Sequence, residues 1–394
     1  MRNILVMELG KVIKSLNTGL NPRKFFQLNT PDAEFYYVTI KEMVNGKIVY
    51  NENTDRLNAE ALRLCNNRSN LEKGDVLFTG TGTIGKTVVL TETPTTWNIK
   101  EGVYTIKPIP EKLDSNYLAF ALSSTAIRSR YMTNVAGGTV KSLKMADLEK
   151  TEIPLPPLPE QQKIAAHLDS IQSAIDNKKQ QLAQLDELVK SKFVEMFGEN
   201  PVENGKWKVE KLNEITDVRD GTHDSPSYYS EGYPFITTKN LIDGTIDYST
   251  ASLICKEDYE HFDKRSHVDD GDILMPMIGT IGGAVLVKKD RDFAIKNVSL
   301  IKRRIDDMNF IYLLSVLNSD FMNFHFEQFK IGGTQKFISL SLIRSLPIPV
   351  PPIDLQNQFA GYVQKIDSAK SIIKTQLNDL NELLESKMDF YFGE

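Results

Sequence analysis

The residues best suited to chemistry in this chain lie in short glycine-containing segments. Gly80-Thr-Gly-Thr-Ile-Gly85-Lys86-Thr87 has the spacing of a phosphate-cradling loop, whose backbone N–H groups surround the phosphates while a lysine reaches them. That chemistry needs a helix to follow, so that its N-terminus meets the anion. Thr87-Val-Val-Leu90 follows instead, a β-branched run that predicts a strand. The related segment Met277-Ile-Gly-Thr-Ile-Gly282-Gly283-Ala284 keeps Gly-Thr-Ile-Gly and lacks the lysine and threonine. What recurs is a glycine turn between strands, and nucleotide binding through Gly80 to Thr87 is the alternative reading. A second kind of segment is Gly137-Gly138-Thr139-Val-Lys141, matched by Gly332-Gly333-Thr334-Gln-Lys336. Paired glycines let a backbone approach a partner closely, threonine offers a hydroxyl, and lysine can reach a phosphate or a guanine edge. Lys41 and Lys239, inside another repeated block, are further candidates. For each of these the competing reading is a simple turn.

Other chemistry finds no support. His167, His223, His261, His267 and His325 include no pair at zinc-binding helical spacing. Cys65 and Cys255 are isolated and not equivalent in the repeat, so neither a disulfide nor a metal cluster is expected. Asp75 and Asp272 sit in Gly-Asp turns, where hydrogen bonds to the backbone account for them. Ser225-Pro226-Ser227-Tyr228 is similar to the base-holding loop of amino-methyltransferases but lacks its second consecutive proline, and reads as a loop. No catalytic residue, metal site or cofactor is expected.

The elements that position these segments are written twice. Gly137 to Gly198 recurs 195 residues later as Gly332 to Gly393. Upstream, Tyr37 to Tyr50 answers Phe235 to Tyr248, and Gly74-Asp75-Val-Leu answers Gly271-Asp272-Ile-Leu. Such duplication predicts a pseudo-symmetric molecule with a bipartite partner. Each half reads as mixed α/β: short strands at 36–40, 76–79, 87–90 and 103–106, then a helix over 113–131; extended segments at 273–275, 284–287 and 299–302, then a helix over 309–326. With 394 residues, 41% hydrophobic and 25% charged, the chain is long enough for two buried cores, 1–155 and 201–350. No apolar run reaches the roughly 18 residues of a membrane span, so a cytoplasmic location is expected. A net charge of −5 is compatible with a basic face built from Lys141, Lys336, Arg128, Arg130 and Lys302-Arg303-Arg304.

Proline-rich joints, Ile153-Pro-Leu-Pro-Pro-Leu-Pro159 and Ile348-Pro-Val-Pro-Pro-Ile-Asp354, introduce two long helices over 156–200 and 351–394. Ile164, Leu168, Ile171, Ile175, Lys178, Leu182, Leu185 and Val189 alternate spacings of four and three, and Lys192 and Met196 continue the pattern. Phe359, Val363, Ile366, Lys370, Ile373, Leu377, Leu380 and Leu384 do the same, continued by Lys387 and Tyr391. These faces are expected to form an antiparallel coiled coil, because a parallel pairing would set Lys192 against Lys387.

With these motifs in order, the whole chain resembles the specificity subunit of type I restriction-modification systems. The resemblance rests on Gly-Asp-[Val/Ile]-Leu and Gly-Thr-Ile-Gly at 74–85 and 271–282. It rests equally on Gly-Gly-Thr, the proline joint, Gln161 or Gln356, and the heptad helix. The second copy departs in having Leu355-Gln356 where the first has Glu160-Gln161. The resemblance implies two pseudo-repeated target recognition domains, 1–155 and 201–350, in a pseudo-two-fold circular arrangement. Each would read half of a split double-stranded DNA sequence. The helices would set the gap and dock two modification (methyltransferase) subunits, with restriction subunits completing the complex; the chain itself would not be a catalyst. A spacer helix of roughly 37 residues at about 1.5 Å each is about 55 Å long, or roughly one and a half turns of B-DNA.

Overall fold

A computed structural model describes residues 5–23, 25–135, 141–278, 283–305, 307–328 and 338–393. The chain divides into two compact units, Met1–Lys179 with Thr375–Glu394, and Gln180–Lys374. In the first, an antiparallel four-stranded sheet has the order Ile13–Thr18, Val103–Pro108, Val76–Thr79, Thr87–Val89. A smaller sheet has the order Arg56–Leu57, Phe35–Val38, Trp97–Ile99, and its last two strands are parallel. Successive residues of Val76–Thr79 point to opposite faces and both faces are covered. Val76 and Phe78 join Tyr104 and Tyr117 in one cluster, while Leu77 joins Val38 and Ile99 in another.

The second unit repeats this design. Its larger sheet runs Thr216–Asp220, Val298–Arg303, Ile273–Pro276, Val285–Leu286. Its smaller sheet runs Ser252–Ile254, Tyr233–Ile236, Ala294–Ile295, again with the last pair parallel. The repeated block also forms the same hairpin in each half: Met43–Val44 pairs with Lys47–Ile48, and Leu241–Ile242 with Thr245–Ile246. The turns are Asn45-Gly46 and Asp243-Gly244, all four at positive φ, as a tight right-twisted hairpin requires.

Two of the expected helices are broken. The segment over 113–131 is Ser115–Ser123 followed by Thr125–Met132, because Ser124 leaves helical geometry and caps the second piece through Ile127 N–H. The segment over 309–326 is likewise Phe310–Leu317 and Asp320–Gln328. The long helices are Leu158–Phe197 and Ile353–Phe392.

Within each unit the start of one long helix packs with the end of the other, which makes the pairing antiparallel. In the first unit Ile164 and Leu168 share a core with Leu384, Met388, Tyr391 and the buried Phe392, and His167 Nδ1 lies 3.0 Å from the Tyr391 hydroxyl. In the second, Val189, Phe193 and Phe197 pack with Phe359 and Val363, and Lys370 pairs with Asp186. Ile171 and Ile175 are also buried; Leu182, Leu185, Ile366, Ile373, Leu377 and Leu380 are half-buried. Toward each helix end the positions that pack on the core step by four, as in Val189–Phe193–Phe197 and Leu384–Met388–Phe392, rather than continuing through Lys192 and Lys387. There the helix faces a globular core, and the 3.6-residue period replaces the 3.5-residue seam of a coiled coil.

Two buried polar devices recur. Gln161, fully buried, accepts from Asp114 N–H at 3.0 Å and donates to the carbonyls of Lys112 at 2.9 Å and Pro156 at 2.8 Å. Gln356 makes the same three bonds with Asn309, Asp307 and Pro351. Each glutamine ties a proline joint and a helix start to the body of its unit. In the turns entering the central strands, Asp75 and Asp272 accept from the N–H groups of Glu72 and Asp269, as expected, and each also meets a lysine, the buried Lys107 at 2.8 Å and the half-buried Lys302 at 2.5 Å. Lys302 is therefore an internal ion-pair partner and not part of a basic face. Burial raises both aspartates, opposed by the hydrogen bond from the lysine.

Gln161→Leu should leave one N–H and two carbonyls buried without partners, at about 1–3 kcal/mol for each group that water does not reach. A lowered denaturant midpoint is expected, and an unchanged one would show that the glutamine is not a structural tie. Lys302→Met leaves Asp272 buried and unpaired and should cost about 3–5 kcal/mol at neutral pH. Because the folded carboxyl titrates above its ordinary value, that deficit should shrink as the pH falls through the raised value toward about 4. A pH-independent deficit would contradict this account.

Candidate nucleic-acid interface

In the first unit four loops meet at one end of the sheets. The parallel strands Phe35–Val38 and Trp97–Ile99 both run toward it, so the segments leaving them lie side by side, with Lys100 N–H donating to the Val38 carbonyl at 2.8 Å. The first segment turns at Thr39, whose N–H and hydroxyl both donate to Glu42 Oε2 at 2.7 Å, and the exposed Lys41 stands on that turn. The glycine turn is stitched to its neighbours on two sides. Gly80 N–H donates to the Gly102 carbonyl at 2.8 Å, Gly82 N–H to the Lys141 carbonyl at 2.9 Å, and Leu143 N–H to the Gly80 carbonyl at 2.8 Å. Three exposed lysines, Lys41, Lys100 and Lys141, are thereby carried on loops braced by one turn. Gly137, Gly138 and Thr139 lie outside the described residues.

The lysine of the phosphate-loop match has another task. Lys86 Nζ donates to the carbonyls of Met43 at 3.0 Å and Ile40 at 3.3 Å, fastening the Lys41 turn to the glycine turn. The strand Thr87–Val89 follows it, paired with the strand before, so the chain does not run from the turn into a helix. The geometry is that of a strand connection and does not form a nucleotide cradle.

The second unit keeps the arrangement. Lys296 N–H donates to the Ile236 carbonyl at 2.9 Å, and Ile338 N–H to the Met277 carbonyl at 2.9 Å, as Leu143 does to Gly80. Thr237 N–H and hydroxyl donate to Asn240 Oδ1, and Lys239 is exposed on that turn. Gly332, Gly333, Thr334 and Lys336 lie outside the described residues. Lys100 and Lys296, absent from the sequence-based candidates, occupy equivalent places beside Lys41 and Lys239. Their signal is the repeated Ile-Lys that ends Trp97–Ile99 and Ala294–Ile295. A glycine permits the close approach of the first strand's exit to each lysine turn. A Cβ on Gly19 would fall 2.1 Å from the Ile99 carbonyl oxygen, and one on Gly221 would fall 2.7 Å from that of Ile295.

Burial pushes the Cys65 thiol up to about 12, and the described residues contain no group of three or more His, Cys, Asp or Glu able to hold a metal. What each unit offers is a set of lysine-bearing turns braced by backbone hydrogen bonds, suited to an anionic partner.

The family model of the type I restriction modification DNA specificity domain matches residues 1–187 and 204–382. The chain therefore belongs to that family of specificity proteins. It is 26% identical over 286 residues to the specificity subunit of the type I restriction enzyme EcoBI of Escherichia coli, covering 64% of this chain and 60% of the relative. It is 25% identical over 305 residues to the EcoKI specificity subunit of Escherichia coli strain K12, covering 70% and 65%. The matched part thus spans less than two thirds of either relative's own length. The crystal structure of a type I restriction-modification S subunit from M. genitalium superposes with a TM-score of 0.58 at 16% identity, over 100% of this chain and 98% of that one, and so shares its fold.

Lys41→Ala and Lys100→Ala should each weaken duplex DNA binding similarly for all sequences and make the salt dependence shallower by about 0.9 in log–log slope. Unchanged slopes would remove these turns from the interface.

Proposed function

We propose that this chain is the DNA-reading subunit of a type I restriction-modification enzyme. The observation that carries the reading is the repeated lysine-bearing loop cluster, built from the same strand ends in both units. In this reading each unit contacts one half of a bipartite double-stranded DNA target. Lys41, Lys100 and Lys141 serve in the first, and Lys239, Lys296 and Lys336 in the second, with the Gly137-Gly138-Thr139 and Gly332-Gly333-Thr334 segments close to the backbone. Lysines at equivalent places in units that read different sequences suit phosphate contacts that position each unit, leaving specificity to the residues that differ. The chain acts without catalysis of its own, in the cytoplasm. Its helices carry two modification subunits, which supply methyl transfer, and restriction subunits join them. Family membership supports this assignment, and no helix among the described residues is long and apolar enough to cross a membrane.

Mapping methylated bases in cells carrying the intact system tests the reading directly, and a split, gapped motif is expected. Replacing residues 1–155 with the matching domain of a relative should then change one half of that motif only. A change in both halves would show that the recognition domains are not separable at those boundaries.

A further inference from the structure

In both units a side-chain bridge joins the loop leaving the first sheet strand to the turn that follows the strand-end lysine, but the two bridges differ chemically. In the first unit Asn21, two residues after Gly19, donates through Nδ2 to Glu101 Oε2 at 2.7 Å, and Glu101 follows Lys100. In the second, His223 is two residues after Gly221, and its Nδ1 lies 2.7 Å from Asn297 Oδ1; Asn297 follows Lys296. The other ring nitrogen, Nε2, lies 2.8 Å from Asp220 Oδ2. Both ring nitrogens thus face side-chain oxygens, and the doubly protonated imidazolium donates to both. Asp220 is buried, and its Oδ1 has no hydrogen-bond partner, so among the described residues its side chain is answered by His223 alone. The loop secured in this way also holds the lysine, since Lys296 Nζ donates to Ser225 Oγ at 2.6 Å.

We propose that His223 is a proton-operated positioning residue for DNA contact by the second unit, holding the 221–225 loop and Lys296 in place while charged and releasing them when neutral. The inference rests on the DNA-reading function proposed above. Losing the proton removes one of the ring's two donors and leaves the Asp220 charge uncompensated, so attraction for phosphate falls at the same time. The charged groups acting on the ring are Asp220 and, from the neighbouring helix Lys256–Ser266, Arg265; Asp224 and Lys296 are bound to Thr222 and Ser225 of the same loop. The hydrogen bond with Asn297, aided by Asp220, raises the imidazole above its ordinary value against burial and the Arg265 charge. A raised folded value means that the bridge is complete below about pH 6.5 and is lost as the pH rises through the raised value. The Asn21–Glu101 bridge contains no imidazole, so contact by the first unit should not follow pH.

The test measures binding of the full chain, assembled with its partner subunits, to a labelled duplex carrying the mapped bipartite motif. Companion duplexes have one or the other half scrambled. From about pH 6 to about pH 8.5 the wild-type protein should lose affinity, and its salt dependence should become shallower by about 0.9 in slope. The loss should persist when the first half is scrambled and vanish when the second is. His223→Asn, which places in the second unit the amide found at Asn21, should bind with little pH dependence. Asn297→Asp, which adds a carboxylate beside the ring, should move the loss to higher pH. A wild-type pH profile retained by His223→Asn, or one that follows the first half-site, would overturn the inference while leaving DNA reading intact. Failure of the wild-type protein to prefer the mapped duplex at any pH would overturn both.

Discussion

Contacts between Phe392 and Tyr117 in the first unit, and between Phe197 and Tyr312 in the second, set the terms for the rest of the molecule. Each phenylalanine is buried at the end of a 40-residue helix that begins in the other copy of the repeat. Each tyrosine donates its hydroxyl to the proline joint of its own half, Tyr117 to Pro154 and Tyr312 to Pro349. Neither copy of the repeat therefore closes its core alone. Burying a phenylalanine contributes about 1.5–3 kcal/mol, a large fraction of what holds a domain of this size together. Both helices must thus reach their far ends in order for both units to be complete, which links helix length and recognition fold in one folding requirement.

Around that requirement the buried polar groups act as fasteners of direction more than as sources of stability. A buried ion pair such as Lys107–Asp75 gains little over an apolar pair of the same volume, since desolvation offsets much of the Coulomb attraction. Its geometry, however, fixes where Val76–Thr79 begins relative to Val103–Pro108. The glutamine ties do the same for the helix starts, because three hydrogen bonds from one amide admit a single joint angle. A rigid frame of this kind lets the loops at the strand ends differ between the two units without disturbing the framework that carries them.

Much of this frame is legible in the sequence because repetition filters local noise. Gly-Thr-Ile-Gly without its lysine in the second copy is enough to separate a strand turn from a phosphate loop, and Lys86 is seen to bind carbonyls. The helix faces are readable where two helices meet, and misread at Lys192 and Lys387, where a helix meets a globular core and Phe193 and Phe392 take the buried positions. Lys302 reads as surface because its neighbours Arg303 and Arg304 are charged, while strand alternation turns it toward Asp272. The tight hairpins carried an available signal in Asn45-Gly46 and Asp243-Gly244. The strand-end lysines were harder to find: only the parallel pairing of Trp97–Ile99 with Phe35–Val38 brings Lys100 beside Lys41, and parallel partners are distant in sequence.

The two loop clusters also show how a duplicated frame can carry two different surfaces. Positions whose chemistry is repeated, such as the threonine turns and the lysines on them, are fixed by backbone geometry common to both units. Positions whose chemistry diverges, Asn21 with Glu101 against His223 with Asn297, still bridge the same two loops at the same 2.7 Å separation. The bridge is thus required by the architecture, and its composition is free. A surface built this way can change charge, protonation behaviour and hydrogen-bonding edge at one unit while the other keeps its own. The constraint on such changes is that the replacement span the gap between the strand-exit loop and the lysine turn, a gap set by the contact of Gly19 or Gly221 with the backbone behind it.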